Sequence, residues 1–291
     1  MKKAATESPR QPWGLVLMGG GARGLAHIGV LKVLSANGLV PDVITGTSMG
    51  AIVGGFYAAG IPPDEMEKLT TALGYARLVE KPFLGRRPRT MTAFFQQLMI
   101  ETSRDRLLLR IGVDREDRVE AILKKIVGDC LIEDLDIRFG CNAVDILSGR
   151  EVVFTNGLLR KAIRASMAYP LAFEPVPWEK MLLVDGGLIN IVPVELARHL
   201  NASRILAPDI HKRLEKFPRS GVNNIFKLLT RMSQIVFTNE AKVRLAAADL
   251  SYRVEVNVED FDFSESRTII AEGRKATEKN LDAIAALIAG K

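Results

Sequence analysis

Apolar positions fall along the chain in short blocks whose spacing switches between strand and helix. Leu15-Val16-Leu17-Met18 is an unbroken apolar run ending at glycine, the pattern of a buried strand. Leu25, Ile28, Leu31 and Leu34 then recur near helical spacing, and Gly38 closes that helix. Pro41-Asp42 opens a β-branched run, Val43-Ile44-Thr45, which leads through a glycine turn into the small-residue helix 51–59. Ile61-Pro62-Pro63-Asp64 starts another helix, capped at Pro63 or Asp64. Strand–turn–helix units in succession predict a parallel sheet.

From Gly74 the pattern breaks. Pro82, Gly85 and Pro88 interrupt regular structure, and Lys81, Arg86, Arg87 and Arg89 make a basic loop, read as a solvated face or a lipid-headgroup contact. Met91, Phe94, Phe95, Leu98 and Met99 form a helical stripe that suits either core or an interfacial helix over an acyl pocket. Residues 74–115 are therefore a candidate lid, and Ile111 to Val127 reads as a loop running into a charged amphipathic helix. Residues 137–145 and 151–154 read as strands, 158–166 as a helix, and the stretch holding Pro170, Pro175 and Pro177 as irregular. Met181-Leu182-Leu183-Val184 is a buried strand ending in Asp185-Gly186-Gly187.

Pro193 opens a helix to about His199, and 204–207 is a strand, with Pro208 an unexpected residue at its end. Residues 221–250 are helical, with Ile225, Leu228, Leu229, Met232 and Val236 on one face. Residues 254–258 alternate like a strand, and 266–289 close the chain as a helix. Polar residues 1–13 read as a disordered tail. No repeat or linker divides the remainder, so 14–291 is expected to be one domain.

At 47% hydrophobic and 25% charged, the 291 residues suffice for a sizeable core. The net charge of +6 suits peripheral contact with an anionic membrane surface. Nucleic acid is not an expected partner, because no recognition motif or aromatic-interleaved basic patch appears. Cys130 and Cys141 lack C-x-x-C spacing and read as two buried thiols, and three histidines without a Cys/His cluster give no expectation of a metal. No apolar core follows Met1-Lys2-Lys3, so no signal peptide is expected, and no apolar run is long enough to span a bilayer. The expectation is a cytoplasmic protein that meets a membrane only at its surface.

The candidate chemistry sits in the two glycine turns. Gly46-Thr47-Ser48-Met49-Gly50 has the strand–turn–helix setting of a nucleophile elbow, which lifts the serine hydroxyl clear at a helix N-terminus. Gly19-Gly20-Gly21-Ala22-Arg23-Gly24 offers closely approachable backbone N–H groups, the material of an oxyanion hole. A serine nucleophile needs a base. His27 reads as packed, His199 as a surface residue and His211 as part of an exposed basic stretch. Asp185, at a strand end with Gly186 and Gly187 behind it, is the better candidate, since an apolar glycine-walled site would raise its pKa. A Ser48–Asp185 triad completed by His199 or His211 stays open, as does an Asp-Gly turn of purely structural use. Gly19-x-Gly21-x-x-Gly24 also fits a dinucleotide fingerprint, but its acidic partner, Asp42, precedes the second strand where the fingerprint wants it at the end.

Taken in order, four blocks resemble the patatin-like phospholipase family in its bacterial cytoplasmic form. They are the glycine loop from Gly19 to Gly24, Gly46-Thr47-Ser48-Met49-Gly50, Arg164-Ala165-Ser166-Met167-Ala168-Tyr169-Pro170, and Asp185-Gly186-Gly187-Leu188-Ile189-Asn190 with Pro193-Val194. The resemblance implies a three-layer α/β/α fold with a mainly parallel central sheet and a Ser48–Asp185 dyad without histidine. It implies an oxyanion hole in the glycine loop supported by Arg23, hydrolysis of lipid acyl esters, and no metal or organic cofactor. The alternative is a regulatory or adaptor protein on the same scaffold with an inert elbow.

Overall fold

The central sheet is assembled outward from the two runs read first. The computed structural model describes residues 11–72, 116–170, 172–214, 216–223, 225–258 and 262–290. Strand β1 (Trp13–Leu17) pairs in parallel with β2 (Val43–Gly46) on one side and β7 (Arg204–Asp209) on the other. β2 continues in parallel to β3 (Arg138–Asp145), and β7 to β8 (Leu250–Arg253). Beyond β3 the sheet changes character. β4 (Arg150–Phe154) and β6 (Met181–Asp185) both pair antiparallel with β3, and β5 (Val176–Trp178) pairs antiparallel with β6. The result is a sheet whose parallel half carries the glycine turns and whose antiparallel half carries Asp185.

Helices cover both faces. Helix α2 (Met49–Ala58) lies on the face of Leu17, Ile44 and Phe139, close enough that a Cβ on Gly54 would sit 2.7 Å from Ile44 Cγ2. The short α6 (Val194–His199) lies on the other face, where Thr45 donates to Pro193 O at 3.0 Å. Helix α1 (Ala26–Ala36) packs on α8 (Ser266–Lys279) at a crossing where Gly29 and Gly273 bring the backbones together. A Cβ at either glycine would meet a carbonyl oxygen of the opposite helix at 2.0 Å. Helices α3 (Pro63–Ala72), α4 (Glu116–Val127), α5 (Leu159–Ser166), α7 (Ile225–Leu245) and α9 (Leu281–Ala289) complete the layers. This is the three-layer α/β/α arrangement expected. No helix among the described residues is long and apolar enough to cross a membrane.

Several boundaries differ from the sequence reading, each for a local reason. Trp13, placed in the tail, begins β1; its side chain is fully buried and its backbone N–H donates to Asp42 Oδ2 at 2.8 Å. The proline-rich stretch yields β5, because Val176–Trp178 finds β6 as a partner. β7 runs through Pro208, which lies past the last residue paired with β1, Leu206, so its missing N–H breaks no bond on that edge. The last strand is 250–253 and not 254–258: β7 ends at Asp209, opposite Arg253, and once the Val254 N–H has donated to Asp209 O at 2.9 Å no further β7 residue is left to pair with 255–258. Val254 and Val256 are nonetheless buried, so the alternation reported burial correctly. The closing helix is two helices meeting at Asn280. The candidate lid, 74–115, lies outside the described residues up to Glu116.

Candidate active site

β2 ends at Gly46, and the chain turns through Thr47 and Ser48 directly into α2. Ser48 holds φ 55° and ψ −121°, a strained backbone for a residue with a side chain. Gly50 makes the turn sterically feasible: a Cβ there would lie 1.8 Å from Leu17 O. The Ser48 N–H donates to Ser166 Oγ at 3.0 Å. Thr47 Oγ1 lies 2.7 Å from Asn142 Oδ1 and 3.0 Å from Asn190 O.

Asp185 ends β6 and is 3% exposed. Its Oδ1 accepts the Gly187 N–H at 2.8 Å, while Oδ2 is buried and makes no hydrogen bond of ordinary geometry. Burial pushes the carboxyl up to about 6, against the opposing pull of the Ser48 hydroxyl and the Gly187 N–H. The Ser48 side chain is thus close enough to stabilise the carboxylate. Its backbone is held too, with the Asp185 N–H donating to Ala168 O at 2.9 Å. The segment 166–168 therefore braces both residues at once, Ser48 through Ser166 and Asp185 through Ala168.

Strand β3 sets their spacing. Gly46 pairs with Cys141 and Asp185 with Ala143, two residues along the same strand. Between them Asn142, fully buried, donates to Glu151 Oε1 at 2.8 Å and to Asn190 O at 3.0 Å, and Asn190 also donates to Glu151 Oε1 at 3.0 Å. This network joins the elbow to the loop after Asp185. Neither Ser166 nor Asn142 was singled out by sequence reasoning as a site residue. Ser166 lay inside a quoted motif block; Asn142 carried no signal beyond being a polar residue in an apolar strand.

The glycine loop divides its work. The Gly19 N–H is already committed to Ile191 O at 3.0 Å, and the Arg23 N–H to Gly20 O at 3.2 Å. These two expected oxyanion donors are therefore spent on holding the loop. Gly21, at φ +56°, opens the turn Gly21–Leu25, in which Ala22 and Gly24 are buried. The buried Arg23 guanidinium donates to Ile210 O at 3.2 Å and Val258 O at 3.4 Å, tying the loop to the end of β7 and the segment after β8. Gly24 allows the close approach of Met49, whose Cγ would lie 2.4 Å from a Cβ at Gly24. Gly20 and Gly21 face the same pocket as Ser48 and Asp185.

That pocket is walled mainly by apolar groups, among them Met18, Ile52, Phe173, Ile191 and Phe237. The histidines separate clearly. His27 is buried, its Nε2 lies 2.9 Å from Met18 O, and burial pushes it down to about 4, so it stays neutral. His199 is exposed at the end of α6. His211 is not in an exposed stretch as expected: it lines the pocket, with Nδ1 bonded to Asp209 Oδ1 and Arg253 donating to the same carboxylate at 3.1 Å. Those contacts hold Asp209 below the usual carboxylate range despite its burial. The described residues hold no cluster of His, Cys, Asp and Glu suited to a metal, and the Cys130 and Cys141 thiols are both unbridged.

A family model described as patatin-like phospholipase matches residues 15–198. A patatin-like phospholipase domain-containing protein of Caenorhabditis elegans is 34% identical over 199 residues, 68% of this chain and 13% of its own length. An uncharacterized NTE family protein of Mycobacterium bovis is 32% identical over 211 residues, 72% of this chain and 52% of its own length. Lysophospholipase nte1 of Aspergillus fumigatus is 34% identical over 197 residues, 68% of this chain and 12% of its own. The chain thus spans at most about half the length of these relatives. Among solved structures, VipD from Legionella pneumophila matches 95% of this chain and 67% of its own at a TM-score of 0.55 and 16% identity, a likeness of fold.

Proposed function

Because the chain belongs to the patatin-like phospholipase family, we propose that it is a serine acyl-ester hydrolase for lipid esters, phospholipid or lysophospholipid, working through Ser48 and Asp185. The observation that carries this reading is that the Ser48 side chain and the buried Asp185 carboxyl line one pocket, both braced by segment 166–168, where burial pushes the carboxyl up to about 6. Such a group is ionised near neutrality and is a stronger base than an exposed aspartate. Ser48 Oγ attacks the ester carbonyl as its proton passes to Asp185. The tetrahedral oxyanion is met by the N–H groups of Gly20 and Gly21, at roughly 3–4 kcal/mol per donor in comparable sites. The C–O bond breaks, the alcohol leaves with the proton from Asp185, and the acyl group stays on Ser48. Asp185 then takes a proton from the attacking water and returns it to Ser48 Oγ as the acyl bond breaks, which releases the acid and restores both groups. Neither metal nor organic cofactor takes part. The apolar pocket suits an acyl chain, and the basic balance of the chain suits an anionic lipid surface.

The test is a fluorophosphonate probe followed by mass spectrometry of the modified residue. Modification of Ser48, lost in Asp185→Asn and retained in His199→Ala, is the expected result; absence of labelling in the folded protein would favour the adaptor reading. Hydrolysis of a short-chain ester should rise with pH through about 6 and then level off, since the carboxylate is the active form. A second reading has one observation in its favour: His211 lines the same pocket with its own carboxylate, Asp209. If His211 were the base, His211→Ala would abolish labelling and Asp185→Asn would not.

A further inference from the structure

Helix α7 has two apolar faces, and among the described residues only one of them is packed against the protein. Gln234, Phe237 and Thr238 line the pocket, and Ala241 and Leu245 are buried on that side. On the opposite side Leu228 (41% exposed), Leu229 (40%), Met232 (53%), Ile235 (40%) and Val236 (47%) form a stripe open to solvent, with Val243 (71%) beyond the exposed Asn239. Phe217 and Val222, just before the helix, extend it. Surface hydrophobics scattered singly are ordinary; a stripe along a whole helix marks an interaction site.

The charge around the stripe identifies the partner. Residues 211–245 hold eight lysines and arginines against two glutamates, and of these cations Arg213 pairs with Glu255 and Arg244 with Glu195 and Glu240. Lys216 and Arg219 are exposed and form no ion pair among the described residues. A second copy of this chain would bring two such basic segments together, with Coulomb repulsion opposing the apolar contact. An anionic bilayer offers apolar depth and negative phosphates on one surface.

We propose that the outer face of α7, with residues 216–222, docks the protein on an anionic lipid bilayer. The apolar stripe enters the headgroup–acyl boundary and the basic residues meet the phosphates. The proposal extends the lipid-ester reading of the pocket: the helix that touches the bilayer is also the pocket wall, so the site lies about one helix diameter, roughly 10 Å, behind the membrane contact.

The experiment is cosedimentation of the full chain with vesicles of phosphatidylcholine alone and of equal parts phosphatidylcholine and phosphatidylglycerol. It needs no turnover, so it stands or fails apart from the hydrolase reading. Wild-type protein should pellet with the phosphatidylglycerol vesicles, less so with phosphatidylcholine or at raised salt. Met232→Glu/Val236→Glu should abolish pelleting while thermal unfolding and short-chain ester hydrolysis stay as in wild type. Lys216→Ala and Arg219→Ala should each weaken binding about five-fold. The proposal fails if wild type stays in solution with both vesicles, or if the double variant pellets equally. It also fails if sedimentation shows a dimer that the double variant dissociates, which would make the stripe a self-association surface.

Discussion

The turn that presents Ser48 and the turn that presents Asp185 both end a strand of one sheet and both lean on glycine, yet they resist folding differently. At Ser48 the resistance is steric: a side chain at φ 55°, with α2 pressed so closely on Leu17 that Gly50 has no room for a Cβ. At Asp185 the backbone is relaxed, with φ −47° and ψ 131°, and the Gly187 N–H is capped by the carboxylate. Its resistance is electrostatic, a carboxyl withdrawn from water. Steric strain is indifferent to pH, whereas electrostatic strain is present only while the group is charged.

The comparison can be broken in order of size. Gly50→Ala should have the largest effect: with Leu17 O 1.8 Å from the new Cβ, the elbow cannot form. The expected loss is more than about 4 kcal/mol, read as insoluble or unfolded protein by circular dichroism. Asp185→Asn should come next and act in the opposite direction. The folded carboxyl titrates near 6 against its usual 3.8, so the stability it contributes is full below 3.8 and is lost as pH rises through about 6. The variant should therefore unfold like wild type near pH 4 and be the more stable protein near pH 8, by up to about 3 kcal/mol, while losing activity. Ser48→Gly should be smallest, a gain of about 1 kcal/mol after the greater freedom of unfolded glycine is subtracted, equal at both pH values. If the Asp185→Asn gain proved independent of pH, the distinction between the turns would collapse.

What was legible in the chain was what is local. The two glycine turns, the elbow serine and the strand ending in Asp185 are each specified within a few residues, and the structure brings all of them to one pocket. The bracing by Ser166 and Asn142 was not legible, because it spans 118 and 95 residues of sequence to Ser48 and Thr47. His211 was misplaced for the same reason: its partners Asp209 and Arg253 meet only when β7 and β8 pair. The apolar stripe of α7 was visible from its periodicity. Periodicity says that a helix has an apolar side, not which side the rest of the protein covers, and here the covered side is the one lining the pocket.

The pairing of Gly46 with Cys141 and Asp185 with Ala143 has a consequence for how such a protein can change. The chain from the end of β2 to the end of β6 runs through four helices and four strands among the described residues, yet of all that length only β3 sets the gap between Ser48 and Asp185. The gap is measured out by two peptide units of β3. Loops, and whatever shapes the substrate, are free to lengthen, shorten or be exchanged without retuning the chemistry. Deleting Asn142 would draw Ala143 one position along β3 and turn it to the other face of the sheet. An alteration that small would disable what wholesale replacement of the intervening loops would leave intact.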